Sequence, residues 1–151
     1  MNNPMTRAAS FYEQLSKSQQ VDVRRGRLGS SGLWQMLIHI EKDRASDATL
    51  SMWVDLLIAM SGSAGHDGTP FGKALALTGW SEGRLNQLLS ADKDTILVEM
   101  RRVGAYFKSH SQKADWDQAA NLASALHYGG DESIKRARLD IAGAYYRQAD
   151  K

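Results

Sequence analysis

The sequence predicts an all-α protein, and three observations carry the prediction. Only two prolines, Pro4 and Pro70, occur in 151 residues. No stretch alternates apolar and polar residues for long enough to make a half-buried strand. Apolar residues instead recur three or four apart, the period of one helix face. A compact bundle of about eight helices is expected, as one body or as two helical halves joined near residues 61–70.

The elements follow in order. Residues 5–19 read as a first helix, with Phe11 and Leu15 at i,i+4 spacing. Residues 33–41 read as a second, with Leu33, Trp34, Leu37 and Ile40 on one face. Residues 50–60 are nearly all apolar, the pattern of a central helix buried on most sides. Residues 71–78 and 81–89 form a short pair turning at Gly79. Residues 94–107 carry the cleanest stripe, Ile96, Met100, Val103 and Phe107. Asp115 is placed to N-cap a helix running to Leu126, with Gln118 as its capping-box partner and Gly129 as its stop. Residues 132–149 close the chain. No period of 20–50 residues repeats, which argues against a solenoid.

Length and composition bound the function. A chain this long fits one domain, taken as residues 1–151, and buries roughly 68–70% of its unfolded surface. The absence of cysteine excludes disulfides, thiolate nucleophiles and Cys-ligated zinc. The start is polar, and the longest apolar stretch, residues 52–60, is interrupted by Asp55 and too short to span a bilayer. A cytoplasmic protein without membrane association is expected. The net charge of +2 divides unevenly: +3 over residues 1–40, −3 over 41–67, +3 over 68–113 and −1 over 114–151. Two basic blocks around an acidic one suit a polyanion face with a separate protein-facing side.

Catalytic patterns are missing. The glycine-rich run 61–70 ends near Gly72-Lys73, but a phosphate loop would need glycine where Asp67 stands and a hydroxyl where Ala74 stands, with a strand before it. The run reads as a mobile surface linker between two helical halves. No two of His39, His66, His110 and His127 are four apart, as a helical metal pair requires. No Gly-x-Ser-x-Gly elbow occurs. No catalytic residue, metal ligand or cofactor is predicted, and the protein is not expected to be an enzyme.

Basic residues on helices remain. Arg24, Arg25 and Arg27 cluster before Gly29, and their planar forks suit phosphate oxygens. Arg101 and Lys108 flank the cleanest apolar stripe, and Arg102 points away from it. Lys73 and Arg84 lie on the preceding helix pair. Without aromatic-basic interleaving, sequence-independent backbone contact is the expected mode. Two alternatives stand beside it. Residues 73–89 suggest a helix-turn-helix DNA-binding regulator, although only Arg84, Asn86 and Gln87 could read bases. A helical adaptor that binds only protein is the other.

The same region carries a family resemblance. Phe71-Gly72-Lys73-Ala74-Leu75, Thr78-Gly79, Ser81-Glu82-x-Arg84, Leu88-Leu89-Ser90-Ala91-Asp92 and Met100-Arg101-Arg102 follow in register. The pattern resembles the CasB family, the small subunit of the type I-E CRISPR surveillance complex called Cascade. The match covers residues 70–103; Arg24-Arg25 resembles a weaker upstream pair, Phe71 stands where leucine is usual, and the preceding loop is short. The resemblance implies a helical, non-enzymatic subunit in antiviral defence, present as a pair of copies with other Cascade subunits and guide RNA. It implies support of the guide–target heteroduplex and of the displaced DNA strand. By motif position it singles out Lys73, Arg84, Arg101 and Arg102, with Arg24 and Arg25 next.

Overall fold

The structure, a computed structural model, describes residues 4–25, 31–42 and 46–149. Arg27 lies outside the described residues. The helices are α1 (Pro4–Gln14), α2 (Lys17–Arg24), α3 (Ser31–His39), α4 (Asp47–Ser61), α5 (Phe71–Leu77), α6 (Glu82–Leu89), α7 (Ile96–Ser109), α8 (Asp117–Tyr128) and α9 (Asp131–Ala149). Among the described residues there is no strand; Pro70 and Asp115 form one isolated parallel bridge.

The predicted helix over residues 5–19 is two helices, and local chemistry divides it. Ser16 is extended; its Oγ accepts from the Gln19 backbone N–H at 3.2 Å, while Gln19 Oε1 accepts from the Ser16 N–H at 3.1 Å. This reciprocal capping box satisfies two donors that would otherwise lack partners, and it starts α2 afresh. In α3 the buried face is Leu33, Met36 and Leu37, continued by Ile40, whereas Trp34 is 43% exposed. Met36 takes the place expected for Trp34.

α4 is the central helix, burying Met52, Trp53, Leu56, Leu57 and Met60. It packs most extensively on α7, and α5 packs likewise on α9. A glycine lies at each crossing. A Cβ on Gly104 would collide with the carbonyl oxygen of Ala59, and one on Gly72 with that of Ile141. Hydrogen at these two positions lets the backbones close to a distance that no side chain permits. Phe71, Phe107 and Trp116 meet edge-to-face, with centroids 5.0–6.1 Å apart, the geometry that aromatic quadrupoles favour. Elements on both sides of residues 61–70 share this core.

Two local expectations are corrected. Gln118 does not complete a capping box. Its Oε1 accepts from the Gly72 N–H at 2.9 Å and its Nε2 donates to the Asp140 carbonyl at 3.2 Å, so it joins α8 to both α5 and α9. Asp115 caps only the Asp117 N–H, at 2.9 Å. The 61–70 connector is also tied down. The Ala114 N–H donates to Gly65 and the Asp115 N–H to Thr69, at 3.3 and 2.8 Å, and the Lys113 stem lies against Gly65.

Candidate nucleic-acid interface

The site is built on α7. Ile96, Met100, Val103 and Phe107 are fully buried, so the stripe predicted from spacing faces the core. With that face fixed, the helical period turns Arg101, Arg102, Ala105, Lys108 and Ser109 outward, and all five are exposed.

Two hollows flank the outward face. One, of about 610 Å³, lies towards α4 and the end of α2 and holds Arg24, Arg101 and Lys108. The other, of about 480 Å³, lies towards α6 and holds Arg84, Arg102 and Tyr106. Ala105 and Ser109 line both, so small side chains form the ridge between them.

Three of these cations are held in place by neighbours. Arg101 Nη2 meets Asp55 Oδ1 of α4 at 2.6 Å, with both side chains partly exposed. Arg102 Nη1 meets Glu99 Oε1 at 2.9 Å, and Glu99 is buried. Arg84 lies 5.2 Å over the Trp80 ring and 5.9 Å from that of Tyr106. The aromatic support is itself fixed, because the Tyr106 hydroxyl donates to the Thr78 carbonyl at 2.7 Å. A guanidinium has five N–H donors, so an arginine that gives one to a carboxylate, or its face to a ring, keeps others for a phosphate. Such anchoring lowers the entropy lost when the side chain binds.

The other candidates are placed elsewhere. Arg25 is the exposed C-cap of α2, next to Arg24. Lys73 is on α5 and shares a hollow of about 270 Å³ with Pro70, Gln118 and Arg147, separate from the α7 pair. Arg147, diluted among acids in the sequence, gains a basic neighbour only through the α5–α9 crossing. Sequence reasoning also missed Asp55 and Glu99 as anchors and Trp80 with Tyr106 as the support of Arg84. Only the Glu99–Arg102 spacing of three carried a signal.

In the α5–α6 pair, Leu85 and Leu88 face the core. Of the base-reading candidates, Arg84 rests on Trp80 and Tyr106, and Gln87 Nε2 approaches Glu99 at 3.4 Å. Both are exposed and lean towards α7, on the rim of the hollow that holds Arg102. Among the described residues no cluster of metal-ligating side chains occurs, and no helix is long and apolar enough to cross a membrane.

No curated protein and no solved structure matches the chain. A family model does match, that of CRISPR-associated protein Cse2, over residues 13–146. The α7 face and every helix from α2 to α8 lie within the matched span, and the chain therefore belongs to the Cse2 family, the small subunit of type I-E Cascade that the sequence resembles under the name CasB.

Proposed function

We propose that this Cascade subunit is a non-catalytic clamp, whose α7 face holds nucleic-acid backbone inside the assembled complex and so stabilises the guide RNA–target DNA heteroduplex and the displaced DNA strand. The observation that carries this reading is the convergence of Arg24, Arg101 and Lys108 on one side of α7 with Arg84 and Arg102 on the other. These residues come from three helices, and Asp55 pairs with Arg101 and Glu99 with Arg102. Strand exchange in guide-directed opening is nearly balanced in free energy, so a few phosphate contacts are enough to tip it. Phosphate contacts carry no base information, which suits a subunit that must serve every target. Guide RNA, both DNA strands and a second copy of the chain are the partners of this reading.

The test uses the assembled complex with the triple variant Arg24→Ala, Arg101→Ala, Lys108→Ala. Target opening should weaken similarly for unrelated target sequences, and the log–log salt slope should fall by up to ~0.9 per lost phosphate contact. Unchanged opening at two salt concentrations overturns the proposal. Sequence-selective binding to one duplex would favour a regulator, and loss of subunit assembly alone would favour an adaptor.

A further inference from the structure

A third hollow, of about 240 Å³, lies behind Arg24, enclosed by α1, α2 and the segment that follows α4. Its floor is apolar, made by Ala9 and Met60, and its walls are polar, with Tyr12, Glu13, Gln20 and His66. The α1–α2 side is pinned by a reciprocal pair: Gln20 Nε2 donates to the Tyr12 carbonyl at 2.8 Å, and the Tyr12 hydroxyl to the Gln20 carbonyl at 3.4 Å. Burial pushes the Tyr12 phenol up, partly offset by the nearby Arg24 guanidinium, so Tyr12 is a neutral donor at physiological pH. On the facing loop, His66 Nδ1 is buried and has no hydrogen-bond partner among the described residues. A buried polar atom in that condition calls for an explanation, and a ligand is one.

The chemistry of the walls selects the ligand. An anion inside would meet the Glu13 carboxylate and the C-terminal end of α4, where the helix dipole is negative. The interior therefore disfavours a phosphate. A neutral planar ring fits better, with its edge offering both donors and acceptors and its face against Met60 and Tyr12. Arg24 lines this hollow and also the basic hollow beside α7. A molecule occupying both would be anionic where it meets Arg24 and neutral and planar beyond it, and a nucleotide within a strand has that division.

We propose that this hollow receives one unstacked nucleobase from the strand whose phosphates lie along the α7 face, with Arg24 contacting the phosphate between them. The inference rests on the backbone-clamp reading above. It adds a base-holding pocket between α1, α2 and the α4–α5 connector, where that reading has only phosphate contacts. Splayed bases are commonly held in this way, by stacking and edge hydrogen bonds.

The test is site-specific photo-crosslinking in the assembled complex bound to target DNA. Ala64, on the rim of the hollow, and Ala105, on the ridge of α7, are replaced singly by p-benzoylphenylalanine. Guide RNA, target strand and displaced strand are labelled separately, so the source of the base is read directly. Position 64 should mark one nucleotide for each copy of the subunit, and position 105 should mark the same strand close by. Crosslinks from 105 without any from 64, or from 64 to many nucleotides, overturn the pocket and leave the clamp standing. Silence at both positions overturns both. A second arm removes the base at the marked nucleotide. Dissociation should quicken on the order of tenfold, as for one lost stacking contact. That penalty should vanish in the Glu13→Ala, His66→Ala double variant; a penalty that persists there also overturns the pocket.

Discussion

The α4–α7 crossing sets the shape of the α7 face, and Gly104→Ala tests it. The added methyl would sit within the van der Waals envelope of the Ala59 carbonyl oxygen, with the Ala59 carbonyl carbon at 3.2 Å and the Trp116 ring at 3.6 Å. The obstruction is backbone, so no rotamer change relieves it and α7 must move away from α4. Overpacking of this kind costs about 1–3 kcal/mol. Alanine in place of glycine within a helix returns about 1 kcal/mol. Because the obstruction is backbone, the upper end of the overpacking cost applies, about 2–3 kcal/mol, so the variant should be destabilised by about 1–2 kcal/mol net, a fall in Tm of about 2–8 °C for a chain of this size. Gly83→Ala in α6 is the matched comparison. Its nearest neighbour beyond the adjoining chain is Ser81 Oγ at 4.0 Å, so only the propensity gain remains, about 0.5–1 kcal/mol of added stability. Urea unfolding followed by circular dichroism reads both. The two variants should move in opposite directions, and a Gly104→Ala protein as stable as its parent would refute the close crossing.

Three further substitutions probe other elements. Asp117 opens α8, where a carboxylate is ordinarily favoured, yet burial and the adjacent Asp115 carboxylate raise its pKa to about 7. A carboxyl raised in the folded state contributes stability that is full below its unfolded value near 3.8 and is lost as pH rises through about 7. Asp117→Asn should thus be more stable than the parent at pH 8, by about 1–2 kcal/mol once its half exposure is discounted. It should also flatten the decline between pH 4 and 8; parallel pH curves would contradict this. Gln118→Ala should cost about 1–3 kcal/mol in denaturant melts, because it strands the Gly72 N–H in the first turn of α5 and cuts the tie to the Asp140 carbonyl of α9. Ser16→Ala should cost about 1 kcal/mol and speed hydrogen exchange at the α2 amides more than at those of α7; uniform exchange would show that the cap does not define α2.

Where a pattern is local, the sequence made the fold legible. The spacing of Ile96, Met100, Val103 and Phe107 is a property of α7 alone, and it oriented the helix correctly. The break at Ser16 was equally local, since Ser16 and Gln19 spell a capping box, but the i,i+4 pair Phe11 and Leu15 argued for continuity. What stayed hidden depends on partners distant in sequence. Gln118 reads as a cap, yet it is claimed by α5 and α9, which no window of one helix contains. Arg101 and Lys108 are visibly basic, but their grouping with Arg24 depends on how α2 and α7 pack around α4. Glu99 is buried beneath Arg102, so Arg102→Ala would leave a buried carboxylate without its cation. That variant is less innocuous than its surface position implies.

If the α7 face is the clamp proposed above, its ion pairs bear on selectivity against the wrong polymer. A cell is crowded with RNA and duplex DNA, and a face of bare arginines would be occupied by them indiscriminately. Under that reading a phosphate would share Arg101 with Asp55 and Arg102 with Glu99, and each carboxylate offsets part of the attraction. Each contact returns little net energy, so a stray strand that meets the face alone gains too little to stay. A strand delivered by the rest of the complex is already confined, and for it even a small return is decisive. Under the proposed clamp, the two carboxylates would thus hold the affinity of the face low until assembly presents a strand.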